Sequence, residues 1–144
     1  MPVTLSVAII TLNEEANLAR TLASVAFADE IILVDSGSTD RTLEIARTFP
    51  NVKVFTEPWK GFAAQKNSAI EKCTGTWVLS LDADEELTPE LQNEIRLLLP
   101  GNPSADAYML LRLNLLLGRW IKRGGYYPDP QLRLFRNHSA NIAP

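Results

Sequence analysis

The chain has 144 residues, 46% of them hydrophobic and 22% charged, with a net charge of −3. That length and apolar share suit one ordinary domain with a packed core and exclude a disordered segment. The charge is uneven: residues 1–109 hold sixteen acids against eight Lys and Arg, and residues 110–144 hold one against six. A net of −8 followed by +5 excludes a uniformly basic nucleic-acid binder, while the basic tail suits phosphate or an anionic surface. The single cysteine, Cys73, excludes an internal disulfide and a thiolate metal cluster.

Residues 5–10 are apolar and rich in branched side chains, and read as a buried strand. No basic segment precedes them, as a secretory signal would require, and the polar stretch 11–17 follows at once. Leu18, Leu22 and Val25 then fall at helical spacing. Residues 31–34 predict a second strand, and Leu43, Ala46 and Phe49 a second helix. Residues 52–55 predict a third, shorter strand. Residues 62–73 are helix-like, with Gly75 where a C-cap glycine would sit. Residues 77–81 predict the fourth strand. Thr88 is a good N-cap with Pro89 at the first helical position, and Leu91, Ile95 and Leu98 make one stripe before Pro100 and Gly101. Continuous apolar strands alternating with helices predict an α/β layer with a parallel, Rossmann-like sheet, each strand buried on both faces.

After residue 104 the alternation stops. Residues 108–117 predict a long strand, bent near Asn114. Residues 109–121 are apolar, but Arg112, Asn114 and Arg119 interrupt them and they are too short to span a bilayer. Peripheral attachment through the basic tail stays open. Residues 118–130 read as a loop rich in Gly, Pro and aromatics. Residues 131–136 alternate, with Leu132 and Leu134 on one face and Arg133 and Phe135 on the other, which predicts a strand lining a groove or an edge.

In an open α/β sheet, ligands bind beyond the carboxyl ends of the strands. Three predicted strands end in polar groups: Thr11, Asn13, Glu14 and Glu15; Asp35, Ser36, Ser38 and Asp40; Asp82, Asp84, Glu85 and Glu86. The first turn lacks G-x-G-x-x-G, and no G-x-x-x-x-G-K-[ST] occurs, so a bound diphosphate needs another counter-charge. Asp82 and Asp84, two apart on extended backbone, would point the same way and can hold Mg²⁺ or Mn²⁺ shared with phosphate. A solvated acidic turn is the plainer reading of the same pair. Asp35 can accept from a ribose hydroxyl or a base N–H, whereas Ser38 and Asp40 suit turn and cap roles. Lys66, early in its helix, can pair with a phosphate or with Asp82, or stand exposed on the surface.

Residues 7–14 (VAIITLNE), 34–40 (VDSGSTD), 61–67 (GFAAQKN) and 79–85 (LSLDADE) resemble, in order and spacing, the family 2 glycosyltransferases. Residues 124–136 (GGYYPDPQLRLFR) are similar to the lipopolysaccharide core glucosyltransferase subgroup. The resemblance implies a GT-A fold, with a donor-binding subdomain over residues 1–104 and the start of an acceptor-binding subdomain over 105–144. It implies transfer of glucose or a related hexose from a UDP-sugar or other nucleotide-sugar to a hydroxyl of a glycan or lipid-linked saccharide. The transfer would invert the anomeric centre with help from Mg²⁺ or Mn²⁺, in the cytoplasm or at the inner face of the cell membrane. Thr11, Asn13 and Glu14 would surround base and ribose, and Asp35 would accept from uracil. Asp82 would face ribose and phosphate, and Asp84 would be the main metal ligand. The family often has a second aspartate where Ser36 stands, and arginine where Lys66 stands; lysine keeps the charge without the bidentate fork.

Inversion needs a general base opposite the diphosphate. The family draws it from an acid well beyond the D-x-D, so the expectation is a base beyond residue 144 in a longer enzyme. Asp129 is the one acid of the tail and a weak alternative between two prolines, and His138 reads as a surface residue. Arg123, Arg133 and Arg136 suit a phosphorylated acceptor, a diphosphate, or a solvated edge strand. Trp120, Tyr126 and Tyr127 suit sugar stacking or core cover. Two rivals remain: a non-catalytic nucleotide-binding module, and a sugar nucleotidyltransferase, which would want a glycine-rich basic loop at residues 11–17.

Overall fold

The computed structural model describes residues 4–101, 107–111, 120–121 and 130–137. Four parallel strands form in the order of the sequence pattern: β1 (Leu5–Thr11), β2 (Glu30–Asp35), β3 (Val52–Thr56) and β4 (Trp77–Asp82). Between and after them lie α1 (Leu18–Ser24), α2 (Thr42–Ala46), α3 (Phe62–Glu71) and α4 (Pro89–Leu98). Three further strands, β5 (Ala107–Leu111), β6 (Trp120–Ile121) and β7 (Pro130–Arg136), join antiparallel. Among the described residues the sheet has seven strands in the order β3-β2-β1-β4-β7-β5-β6. No helix among the described residues is long and apolar enough to cross a membrane.

The pleat sorts the core into two faces. Val7, Ile9, Ile31, Leu33, Leu79 and Leu134 meet Leu18 and Leu22 of α1, Ala46 of α2, and Leu91 and Ile95 of α4. Ala8, Ile32, Val34, Val78 and Phe135 meet Ala69 and Ile70 of α3. Burying each large branched side chain contributes about 1.5–3 kcal/mol. The expectation of burial on both faces holds for β1, β2 and β4. It fails for β3, which lies at the edge of the sheet and leaves Lys53, Phe55 and Thr56 exposed.

Thr88 caps α4 as expected, its Oγ1 accepting from the Leu91 amide at 3.2 Å, with Glu90 in the first turn and Arg96 in the last. Gly75 does not cap α3. That helix closes on Lys72 in right-handed backbone. Gly75 instead lets the chain approach β1 closely: a Cβ there would stand 2.7 Å from Ser6 Oγ and 2.8 Å from the Ser6 amide nitrogen. The strand over residues 130–136 is not an edge. It pairs with β4 on one side and β5 on the other, because Leu134 and Phe135 each find a core on their own face. Of the long strand expected at 108–117, residues 108–111 lie within β5, and the remainder falls outside the described residues.

Candidate functional site: a cleft at the strand ends

The carboxyl ends of β1, β2 and β4 open onto a cleft of about 690 Å³. That volume suits a small organic ligand. Thr11, Glu14, Lys66, Asp82 and Asp84 line it, so five of the residues singled out by sequence share one cavity.

The first two loops are tied together before they meet any ligand. Asn13, at φ +52°, takes a left-handed conformation that asparagine tolerates. Its Oδ1 accepts from the Thr39 amide at 2.8 Å, and its own amide donates to Ser38 Oγ at 2.8 Å. The Glu14 amide donates to Thr42 Oγ1 at 2.9 Å. Asp40 accepts from both the amide and the hydroxyl of Thr42, and these bonds, the hydroxyl's first, hold its carboxyl below the usual range. Asp35 is fully buried: its Oδ2 accepts from the Gly37 and Ser38 amides at 2.9 and 2.8 Å, and its Oδ1 from the Ser38 hydroxyl at 2.5 Å. Asn13, exposed, and Asp35, buried, are not among the residues that line the cavity, and their bonds shape the loops beside it. Glu14 does reach the cavity, with its Oε1 accepting from Asn17 Nδ2 at 3.2 Å. Thr11 is 6% exposed, and its Oγ1 has no hydrogen-bond partner among the described residues. A buried hydroxyl left unsatisfied on a cavity wall has capacity for a ligand atom.

The extended backbone expected through both Asp82 and Asp84 ends at Asp82, although both residues line the cleft. Asp82 ends β4, and the Glu85 amide donates to the Asp82 carbonyl at 3.0 Å, which closes a turn containing Asp84. The turn separates their settings. Asp82 Oδ1 lies 3.3 Å from Lys66 Nζ, and Asp82 Oδ2 lies 3.8 Å from Arg133 Nη2. Asp84 is exposed on the cleft. Lys66 is thus the Asp82 partner that its sequence position allowed.

Arg133 is not on a solvated edge. It is 2% exposed and makes two bonds to Glu85, Nη1 to Oε1 at 2.7 Å and Nη2 to Oε2 at 3.0 Å. Arg136 lies over the Trp77 ring, 4.7 Å from its centroid. Arg123, Asp129, Trp120's side chain, Tyr126, Tyr127 and His138 lie outside the described residues.

Sequence reasoning missed an aromatic wall. Trp59 and Phe62 line the cleft, 51% and 70% exposed, in an edge-to-face pair with centroids 4.9 Å apart. Gly61, at φ +97°, turns the chain between them. Gln65 is fully buried and fixes their loop, with Oε1 accepting from the Lys60 amide at 3.1 Å and Nε2 donating to the Glu57 carbonyl at 3.5 Å. A signal existed: Phe62, Gln65 and Ala69 make one helical stripe, and Phe62 carries it a turn past the buried part.

Among the described residues no three His, Cys, Asp or Glu converge as a metal cage. The acids present suit a Mg²⁺ or Mn²⁺ that takes one or two carboxylates and completes its shell with phosphate and water. Exposed Asp84 fits that role, with Asp82 close behind it in the turn.

Comparison with known proteins places this geometry. The model of glycosyl transferase family 2 matches residues 6–111. A protein of Rickettsia typhi described as an uncharacterized glycosyltransferase is 45% identical over 114 residues, covering 78% of this chain and 38% of the relative. The lipopolysaccharide core biosynthesis glycosyltransferase LpsC of Rhizobium meliloti is 36% identical over 129 residues, covering 87% and 46%. The chain thus spans less than half of either relative's length. Among solved structures, S. aureus TarS 1-349 in complex with UDP-GlcNAc is similar with a TM-score of 0.62 and 27% identity, over 75% of this chain and 33% of that one. The mannosyltransferase PcManGT of Pyrobaculum calidifontis, in complex with GDP-Man and Mn²⁺, is similar with a TM-score of 0.58 and 27% identity, over 74% and 36%. The fold is of the GT-A type seen in these enzymes, and the chain belongs to glycosyltransferase family 2.

Proposed function

We propose that this chain carries the donor site of an inverting glycosyltransferase. It would pass glucose or a related hexose from a UDP-sugar, or another nucleotide-sugar, to a hydroxyl of a lipopolysaccharide-core or similar glycan. The observation that carries this reading is the cleft itself. One cavity joins an unsatisfied buried hydroxyl (Thr11), an exposed carboxylate (Asp84), a lysine (Lys66) and an aromatic wall (Trp59 and Phe62). A nucleoside diphosphate has a matching feature for each: hydroxyls, metal-bound phosphates, anionic oxygens and a flat base. The LpsC relative supports the acceptor class, and the nucleotide-sugars held by TarS and PcManGT support the donor class.

In the reaction, the acceptor oxygen attacks the anomeric carbon, and the bond from that carbon to the diphosphate oxygen breaks. The electron pair leaves with the nucleoside diphosphate, and the hydroxyl proton passes to a base that no described residue is assigned to supply. Lys66 offers positive charge beside the phosphates and holds Asp82 in place at 3.3 Å. Thr11 and Glu14 would orient the nucleoside. A divalent cation held by Asp84 would neutralise charge on the departing diphosphate. The expected site of action is the cytoplasmic side of the membrane that receives the glycan, with any attachment peripheral.

Titration calorimetry with UDP and Mn²⁺ tests the reading. Binding should depend on metal and weaken at least about 10-fold in Asp84→Ala, a loss of about 1.4 kcal/mol. No binding of UDP or GDP by the wild-type chain with Mg²⁺ or Mn²⁺ would sink it.

A further inference from the structure

We infer that Arg133, on β7, is a positioning residue for the donor site. Its guanidinium grips Glu85 and so fixes the turn that presents Asp84 to the cleft. The inference deepens the donor reading, and its consequence for affinity rests on that reading.

Arg133 sits 48 residues from Glu85 in sequence, beyond the stretch that the family model matches. Both are buried, at 2% and 8% exposure. The planar fork gives one nitrogen to each carboxylate oxygen, at 2.7 and 3.0 Å, and Nη1 also donates to the Ser80 carbonyl at 3.1 Å. The clamp does not end at Glu85. The Glu85 Oε1 atom that accepts from Arg133 also accepts from the Asp82 amide at 2.9 Å, and the Glu85 amide closes the turn on the Asp82 carbonyl at 3.0 Å. Asp82 Oδ2 lies 3.8 Å from Arg133 Nη2. Both ends of the turn therefore hang on one guanidinium, and Asp84 lies between them.

Stability alone is a poor reason for such a pair. A buried ion pair is often no more stabilising than apolar side chains of similar volume, whereas removal of one partner strands the other's charge. A pair of this kind does specify orientation, because the fork accepts one carboxylate geometry. Lysine keeps the charge and loses the fork. A paired apolar replacement keeps the packing and loses the grip.

The test uses the full chain with Arg133→Lys, and with the double variant Arg133→Met plus Glu85→Leu. Amide hydrogen exchange over residues 82–87 needs no ligand. In Arg133→Lys it should quicken about 10-fold at the Asp82 and Glu85 amides, with β1 and β2 unchanged. UDP–Mn²⁺ affinity should fall about 10-fold in Arg133→Lys. It should stay low in the double variant even where its melting temperature matches wild type. Unchanged turn exchange in Arg133→Lys would overturn the inference, as would wild-type affinity in the double variant. Global unfolding of Arg133→Lys would overturn it too, by assigning the residue to stability. If the wild type binds no nucleotide, the donor reading fails and the turn exchange still decides the positioning role.

Discussion

Asp82 and Asp84 stand two positions apart and meet different surroundings. Asp82 lies between Lys66 and Arg133, and Asp84 faces the open cleft. The first is the fixed end of a charge cluster, and the second is the carboxylate available to a cation. Lys66 serves both Asp82 and the space above it. Lys66→Met should therefore weaken UDP–Mn²⁺ binding about 10-fold, and Lys66→Arg should keep most of it, both read by calorimetry. At the opposite end of the sheet, Glu30 shows how strongly local bonds can hold a charge. Burial alone would raise its pKa. Bonds from the Ser6 hydroxyl, the Thr74 amide, Lys53 and the Thr74 hydroxyl outweigh burial and pull it from 4.5 to about 2. A pKa depressed in the folded state contributes stability that is present in full above about pH 4.5 and is lost as pH falls toward 2. Glu30→Gln should cost about 2–3 kcal/mol at pH 7 and should flatten the fall in melting temperature over that acid window. Cys73 is the reverse case: burial, then the nearby Glu30 charge, raise its thiol to about 12, so it stays protonated.

At the scale of elements, α3 and β7 decide the cleft. α3 packs on one face of the sheet through Ala69 and Ile70, which brings Lys66 over the end of β4 and Phe62 to the rim. The approach of the chain after α3 to β1 depends on Gly75, whose amide donates to Ser6 Oγ at 2.8 Å. Gly75→Ala would drive a methyl group into the Ser6 backbone and separate β1 from β4 locally. It should lower stability by about 2 kcal/mol or more, measured by urea unfolding. β7 matters from the other side. Its place beside β4 puts Arg133 beneath the turn, whereas its alternating sequence suggested a groove or an edge.

For the molecule as a whole, polarity is divided between the two ends of one sheet. The carboxyl ends of the strands carry the cleft, and the amino ends carry the Glu30 network, which joins β1, β2, β3 and the turn before β4 with closed hydrogen bonds. Stability and binding are thereby placed far apart, so the Glu30 and Lys66 variants should act additively when combined. The parallel arrangement of β1–β4 follows from the apolar pattern, since four apolar runs separated by helical stripes can bury both faces in a doubly covered parallel sheet. β3 departs from this because the end of a sheet has one neighbour and more water.

The sequence by itself determined the alternation of strands and helices, the α4 cap, the family, and the gathering of Thr11, Glu14, Asp82 and Asp84 at one edge. The family rests on the resemblance of four motifs in order; the others rest on periodicity, local capping and the rule that strand ends converge, which are short-range or topological. Tertiary structure alone decided the rest: that Asp35 and Asn13 brace the loops beside the cleft, that Lys66 reaches Asp82, that Trp59 and Phe62 wall the cleft, and that Arg133 grips Glu85 across 48 residues. The physical reason is that a side chain's chemistry depends on which distant groups compete for its hydrogen bonds, and that competition is settled only when the sheet is assembled.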